Sequence, residues 1–557
     1  MATLKLPRPA VWLLLLGLLG IWFYALGARA LVPTDEGRYA EMAREMVATG
    51  DWITTRLNGI KYFEKPPLQV WMTAASFELF GLGEWQARLW TGLCGLLGVV
   101  AVGFTGRRVF GGQAGNYAAA VLASSILWDG LAHVNTLDMG LSAMMAVSLC
   151  ALLIAQSGET KAPSRRNWML VCWAGMALAV LSKGLIGIVL PGAVLTLYIL
   201  ATRDWKLIGR LQLGLGLLLF FVITAPWFIL VSLKNPEFAH FFFIHEHFQR
   251  FTSKIHHRAG PLYYFVPILL LGMVPWLGAL AQSFRPDSAN LPNGPDRRPF
   301  RPKLLLLVWS GFIFVFFSVS SSKLPSYILP ILPAIALLLG DYLTRASARV
   351  LALNAGLLTL FGIVGLAFMS RLPRLSQSAF DLPLYQQYLP WVGAAAAIAC
   401  VGGIAALLLR AQRSASIYAT ALGGFLALQA LMFGHDGLGR YAAGIDYVPR
   451  INAELDSNTQ LYSVNHYEQS LPFYLRRTST LVGQADEMSF GLEQEPALWL
   501  PDLTTFIQRW QSGAKAVAVM SPDTYAMLQQ RHLAMRVIVS DPRRVMVSNQ
   551  LQAKASP

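Results

Sequence analysis

The sequence predicts an all-α polytopic membrane protein with about thirteen transmembrane helices, interfacial helices on the outer side and a small C-terminal α/β domain. Three observations carry this. Only 13% of the 557 residues are charged and 55% are hydrophobic, against about 25% charged in a soluble domain. Apolar runs of about 20 residues, long enough to cross a hydrocarbon core, recur up to position 433. Beyond it the composition changes, and short β-rich runs alternate with helical ones.

Thirteen stretches are expected to span: 9–27, 85–105, 114–130, 137–156, 167–183, 186–201, 211–233, 261–284, 304–320, 325–343, 350–369, 389–409 and 414–433. The first follows Lys5 and Arg8 and looks like a signal peptide ending at Ala28-Arg29-Ala30. It is longer than an h-region of about 7–15 residues, so an uncleaved span is expected. Alternate short loops carry Arg107 and Arg108, Arg165 and Arg166, Arg203 and Lys206, Arg297 and Arg298, Arg345 and Arg349, and Arg410 and Arg413. The positive-inside rule puts these in the cytoplasm with the N-terminus, and an odd count of spans puts the C-terminus in the periplasm. These loops account for much of the net charge of +15, so nucleic acid is not expected as a partner. Cys94, Cys150, Cys172 and Cys400 lie in apolar stretches without metal-ligand spacing and read as small buried hydrophobes.

The chain thus divides into a membrane domain, 1–433, and an outer domain, 434–557. The outer domain has strand-like runs at Gln460 to Val464 and Ala516 to Val519, and a helix from Pro522 capped by Ser521. It holds no nucleophile elbow, phosphate loop or metal-ligand spacing.

The first outer loop, 28–84, is the most informative. Thr34 can cap a helix with Asp35 and Glu36 in its first turn. Tyr39, Met42, Ala43, Met46 and Val47 form one apolar face before Gly50 stops the helix. That face is expected to rest in the membrane interface. Asp35, Arg38 and Tyr39 share a side near the helix start, where they are either a site or a capping carboxylate beside a solvated arginine. Lys61-Tyr62-Phe63-Glu64-Lys65-Pro66-Pro67 then leads into a second helix that ends at Gly81. Tyr62, Glu64 and Lys65 are site candidates or an interfacial belt.

Outer segments should be poor in cations, yet they hold Arg38, Arg56, Lys61, Lys65, Arg250, Lys254 and Arg258, with Lys183 and Lys323 at span ends. Such a cluster calls for an anion, and phosphate suits arginine and lysine together. His245-Glu246-His247 is not a zincin motif, but Glu64 and His245 are candidates to hold a divalent cation. Asp138 opens the fourth span from the outer side, and Tyr327 stands at the outer mouth of the tenth. Capping and anchoring are the bland readings of these two.

These residues carry a resemblance. Asp-Glu-Gly-Arg-Tyr from Asp35, Tyr-Phe-Glu-Lys-Pro-Pro-Leu from Tyr62, Asn135 to Gly140, Leu181 to Gly187, His245 to Phe251 and Ser322 to Pro330 resemble the lipid A aminoarabinose transferase (ArnT) family of GT-C glycosyltransferases. The Asp-Glu pair alone is shared with wider GT-C enzymes, including protein O-mannosyltransferases; the Tyr62 run with the His245 segment is more specific. The resemblance implies transfer of 4-amino-4-deoxy-L-arabinose from undecaprenyl phosphate to a lipid A phosphate, on the periplasmic side of a bacterial inner membrane. It also implies resistance to polymyxin and other cationic peptides.

On that reading Lys65 and Arg250 stabilise the leaving phosphate, with Arg38 and Tyr327 as helpers and Tyr62 as a donor. Asp35 orients the acceptor, binds the sugar ammonium or holds a metal. Tyr39, Glu64, Asp138, Lys183 and His245 complete the substrate-binding set. The rivals are another GT-C transferase, moving mannose to protein or galacturonic acid to lipid A or core, and a flippase for polyprenyl-linked sugars. A protein acceptor would require Asp35 as a base. A flippase would require ionisable groups deep in the spans, and few are present.

Overall fold

The computed structural model describes residues 7–157, 161–249, 260–285, 300–483 and 486–552. Helix α1 (Arg8–Ala25) is followed in the first loop by α2 (Asp35–Thr49), the hairpin β1 (Arg56–Leu57) and β2 (Ile60–Lys61), and α3 (Leu68–Phe80). The bundle continues with α4 (Glu84–Val109), α5 (Gly112–Ser124), α6 (Ile126–Ala132), α7 (Leu137–Gln156), α8 (Ala162–Lys183), α9 (Ile186–Thr202) and α10 (Leu213–Lys234). A π-helical segment, His240–Gln249, precedes α11 (Phe265–Gly272), α12 (Leu277–Ser283), α13 (Pro302–Val319), α14 (Leu332–Leu343), α15 (Ala348–Phe368), α16 (Leu382–Leu408) and α17 (Arg413–Gly434).

Each of the thirteen expected stretches falls on helical structure. Among the described residues eight helices are long and apolar enough to cross a membrane, nine if one bent pair is counted as a single span; α9 and the Pro9–Ala25 part of α1 are shorter apolar helices. Two stretches read as continuous are broken. Residues 261–284 form α11 and α12, bent by 114°, with Pro275, which has no N–H to donate, in the break. Residues 114–130 break at Ser125, where the hydroxyls of Ser124 and Ser125 bond back to the carbonyls of Ala120 and Val121 at 2.7 Å. The two breaks face each other: Trp276 Nε1 donates to Ser124 Oγ at 3.0 Å. The centre of the bundle is α7, whose span is 94% buried. Cys94, Cys150 and Cys172 are buried and Cys400 is half-buried, and none of the four is in a disulfide.

After α17 a short helix, α18 (Asp436–Ala443), leads into a six-stranded sheet. Its strands are β3 (Gln460–Val464), β4 (Thr480–Val482), β5 (Trp499–Leu500), β6 (Ala516–Met520), β7 (Arg536–Ser540) and β8 (Val545–Ser548), in the order β5-β4-β3-β6-β8-β7. The β3, β4, β5 and β6 pairings are parallel, and β8 runs antiparallel to β6 and β7. Ser521 caps the Pro522–Gln530 helix through Thr524 N.

The sheet domain sits on the first loop, and this changes the expectation for α2. Tyr39, Met42, Ala43 and Met46 are buried, but against Val70 and Phe77 of α3 and Phe473, Leu481, Met488 and Leu492 of the C-terminal domain. The face expected to meet lipid meets protein, because the domain supplies the apolar cover that a lone loop helix would seek from the bilayer. Gly37 lets the backbones close: a Cβ there would stand 2.5 Å from Ser470 Cα and 2.6 Å from the Gln469 carbonyl oxygen. Asn58 Nδ2 donates to the Ser479 carbonyl at 2.7 Å, Arg56 Nη1 to Glu495 Oε1 at 2.7 Å, and Leu31 N to the Tyr474 hydroxyl at 2.8 Å. Thr34 makes no side-chain cap bond.

Candidate functional site

The first turn of α2, the 61–67 segment, the first turn of α7, the end of α8 and the 3-10 turn Pro325–Ile331 converge beneath the C-terminal domain. Arg38 is the hub. Its Nη1 lies 3.6 Å from Asp35 Oδ1 and its Nη2 2.5 Å from Glu487 Oε1, and its guanidinium carbon stands 5.9 Å from the centre of the Tyr62 ring. The Arg38 side chain is buried whereas Asp35, one turn earlier, is 44% exposed. Asp35 is therefore the exposed carboxylate of the group, while Glu487, Glu64 and Asp138 are at 24% or less.

Tyr39 and Tyr62 are buried, and both hydroxyls are pushed well above their usual range. Burial is the main cause; the charge of Asp35 adds to it for Tyr39 and that of Glu64 for Tyr62. Both remain O–H donors at neutral pH. The charges of Arg38, Glu64 and Asp138 also act on the Tyr39 hydroxyl. Lys65 Nζ donates to the Glu64 carbonyl at 2.8 Å and lies 3.9 Å from the Glu64 carboxylate.

A second cluster forms around Asp138. Thr136 caps α7 by accepting from Asp138 N at 3.3 Å, so Asp138 is not the cap residue. Its carboxylate pairs with Lys183 and accepts from Ser326 Oγ at 3.0 Å. The Lys183 ammonium lies 4.7 Å from the centre of the Tyr327 ring. Asp138, Lys183 and Tyr327, far apart in sequence, thus form one unit.

Other cations turn out to be structural. Arg56 pairs with Glu495 and Lys61 with Glu237, both at 2.7 Å. Lys323 is buried and donates to the carbonyls of Ser318 and Ser320, at 2.6 and 2.7 Å. Arg250, Lys254 and Arg258 lie outside the described residues, as does the side chain of His245. Among the described residues no three His, Cys, Asp or Glu side chains gather as a metal site. Glu64 already has the Lys65 ammonium beside it, so the described donors alone do not make a cation site.

Sequence reasoning missed two things. Glu487 is one: it comes from the far end of the chain, accepts also from Gln469 Nε2 at 3.0 Å, and has no motif around it. The other is the buried knot at Glu36. Its carboxylate takes Arg29 Nη1 at 2.7 Å, Arg88 Nε at 2.6 Å, Val32 N at 3.0 Å and Asn135 N at 3.0 Å. Burial pushes the Glu36 carboxyl up, and Arg29 and Arg88 more than reverse this and hold it below the usual carboxylate range. Of the Asp35-Glu36 pair, Glu36 ties the loop to the bundle and Asp35 is open to solvent. An arginine inside an apolar stretch, Arg88, was the available signal for the knot.

Residues 447–549 match the aminoarabinose transferase C-terminal domain family, and residues 64–230 match the dolichyl-phosphate-mannose-protein mannosyltransferase family. The chain superposes on the crystal structure of ArnT from Cupriavidus metallidurans bound to undecaprenyl phosphate with a TM-score of 0.92 and 42% identity, covering 99% of this chain and 100% of that one. The undecaprenyl phosphate-alpha-4-amino-4-deoxy-L-arabinose arabinosyl transferase of Edwardsiella ictaluri is 30% identical over 368 residues, 65% of each chain. Transferase 2 of Pseudomonas fluorescens is 30% identical over 430 residues, 74% of each chain. The match to the first of these curated relatives thus spans just under two thirds of its length. With its loop, bundle and sheet domain all shared with a solved member, the chain belongs to the ArnT family of GT-C glycosyltransferases.

Proposed function

We propose that this chain moves 4-amino-4-deoxy-L-arabinose from undecaprenyl phosphate to a phosphate of lipid A at the periplasmic face of the bacterial inner membrane. The observation that carries the reading is the full-length match to a relative whose crystal structure holds undecaprenyl phosphate. In the reaction a lipid A phosphate oxygen gives an electron pair to the anomeric carbon. The bond from that carbon to the donor phosphate oxygen breaks, and its electron pair leaves as undecaprenyl phosphate. Negative charge grows on that oxygen, so cations and donors already in place lower the barrier. Lys65 and Arg38, with the Tyr62 hydroxyl, are the described groups that supply them, and Arg250 joins them from the sequence reading.

The acceptor is already an anion, so the scheme needs no general base and no net proton transfer. Asp35 is exposed with Arg38 at its side, which suits a carboxylate that binds the sugar ammonium. Capping a phosphate with an amino sugar lowers surface negative charge and weakens attraction of cationic peptides. The test is transfer by the purified protein from the synthetic lipid-linked aminopentose to lipid A. Transfer of a neutral hexose or a uronic acid in its place would move the chain to a rival GT-C reaction.

A further inference from the structure

Helix α15 leaves the bundle on the same side as the C-terminal domain: beyond it, the Phe380 ring lies 5.4 Å from that of Tyr441 on α18. Its other end, near Arg345 and Arg349, faces the arginine-rich loops. A 3-10 turn, Met369–Leu375, follows α15 and carries Arg371 and Arg374. Side chains three apart eclipse in a 3-10 helix, so the two guanidiniums share a side. Both are exposed, and neither pairs with a carboxylate among the described residues. The nearby Asp381 is taken up within its own loop, accepting from Ser376 Oγ at 2.7 Å and from Ser378 N and Oγ at 2.9 and 2.8 Å. Two unpaired arginines in a short loop opposite the basic face run against the positive-inside rule.

Directly below them lies an apolar crevice of about 240 Å³. One wall is Val274, Pro275 and Leu277, at the bend between α11 and α12; the other includes Leu357, Phe361 and Val364 of α15. Positions 357, 361, 364 and 368 step by four and three, so the crevice wall and Phe368 lie on one stripe of α15, and Arg371 follows in the turn beyond it. The Arg371 guanidinium carbon stands 4.7 Å from the centre of the Phe368 ring. At about 1.5 Å per residue the crevice begins about 10 Å below Arg371 and reaches about 21 Å below it. That is the depth of the acyl chains in one leaflet of a core about 30 Å thick.

We infer that Arg371, Arg374 and this crevice form a site for an anionic diacyl phospholipid of the leaflet on the C-terminal-domain side, phosphate on the arginines and one acyl chain in the crevice. Charge complementarity and the stripe that joins head site to chain site select this occupant. None of these residues touches the Arg38 or Asp138 clusters, so the inference does not depend on the transfer reading.

The test uses the full chain in detergent, titrated with dioleoylphosphatidylglycerol or dioleoylphosphatidylcholine and followed by native mass spectrometry. The wild type should hold the phosphatidylglycerol more tightly. Arg371→Gln with Arg374→Gln should lower that affinity about 25-fold, two cations at about fivefold each, and leave phosphatidylcholine unchanged. Val364→Trp, which fills the crevice, should weaken both lipids, and Arg349→Gln at the other end of α15 should weaken neither. Equal binding of the two lipids, or a double variant that binds like wild type, overturns the site. Preferential displacement of phosphatidylglycerol by undecaprenyl phosphate overturns the assignment to a bilayer lipid. An unchanged thermal midpoint for the double variant shows that the lost affinity is not lost fold.

Discussion

Arg38 of the first loop donates to Glu487 of the C-terminal domain at 2.5 Å, across 449 positions of sequence. Arg38 is buried and Glu487 half-buried, so their bond is poorly screened. It ties the C-terminal domain to the first loop at the Arg38 guanidinium. Glu487→Gln keeps the shape and removes the charge. A charged hydrogen bond contributes about 1.5–3 kcal/mol, so transfer by the purified variant is expected to fall about tenfold or more. An unchanged rate would show that Arg38 is held without Glu487.

Lys65 is the described ammonium closest to the carboxylate of the Tyr62 run, 3.9 Å from Glu64. If it meets the leaving phosphate, Lys65→Ala should lower the transfer rate about 10²–10³-fold, as removal of one preorganised donor does. Asp35→Asn, in an exposed position, should leave expression and thermal stability unchanged and raise KM for the amino-sugar donor. A KM equal to wild type would remove Asp35 from sugar binding.

Glu36 has the opposite character. It is 1% exposed and is ion-paired to two buried arginines. Glu36→Leu leaves Arg29 and Arg88 uncompensated, at a cost of about 3–5 kcal/mol. We expect a large drop in the thermal midpoint in detergent and little inserted protein. Normal stability with lost transfer would instead place Glu36 in the chemistry.

Glu45 gives a pH signature. Burial, then the nearby charge of Glu41, pushes its carboxyl up to about 8. A carboxyl raised on folding binds its proton in the folded state where the unfolded chain has released it. Its stabilising share is full below the ordinary value near 4.5 and is lost as pH rises towards 8. The thermal midpoint of wild type should therefore fall between pH 5 and 8 more than that of Glu45→Gln, whose amide oxygen can still accept from Gly59 N, now at 2.7 Å. Parallel curves for the two proteins would contradict this.

The membrane fold was legible because apolar length and short-loop charge are local properties of the chain. The breaks at Ser125 and around Pro275 were not, since each depends on the other for cover. Asp35, Arg38, Tyr39 and Tyr62 could be named from spacing, and the structure brings Asp35 and the Tyr62 ring to Arg38. The interface position given to α2 failed because the apolar face alone does not say whether lipid or a distant domain will cover it. Glu487 was invisible for the same reason: its meaning lies wholly in its contact with Arg38. Lys61 and Arg56, conspicuous as cations, are matched by Glu237 and Glu495, partners that no local pattern pairs with them.

The most direct measurement is mass spectrometry of lipid A from a Gram-negative host that lacks its own transferase, keeps the donor pathway and expresses this chain or its Lys65→Ala variant. An aminopentose on lipid A with the wild-type chain and not with the variant is the expected result. Unmodified lipid A from cells that hold well-inserted wild-type protein would contradict the transfer reading.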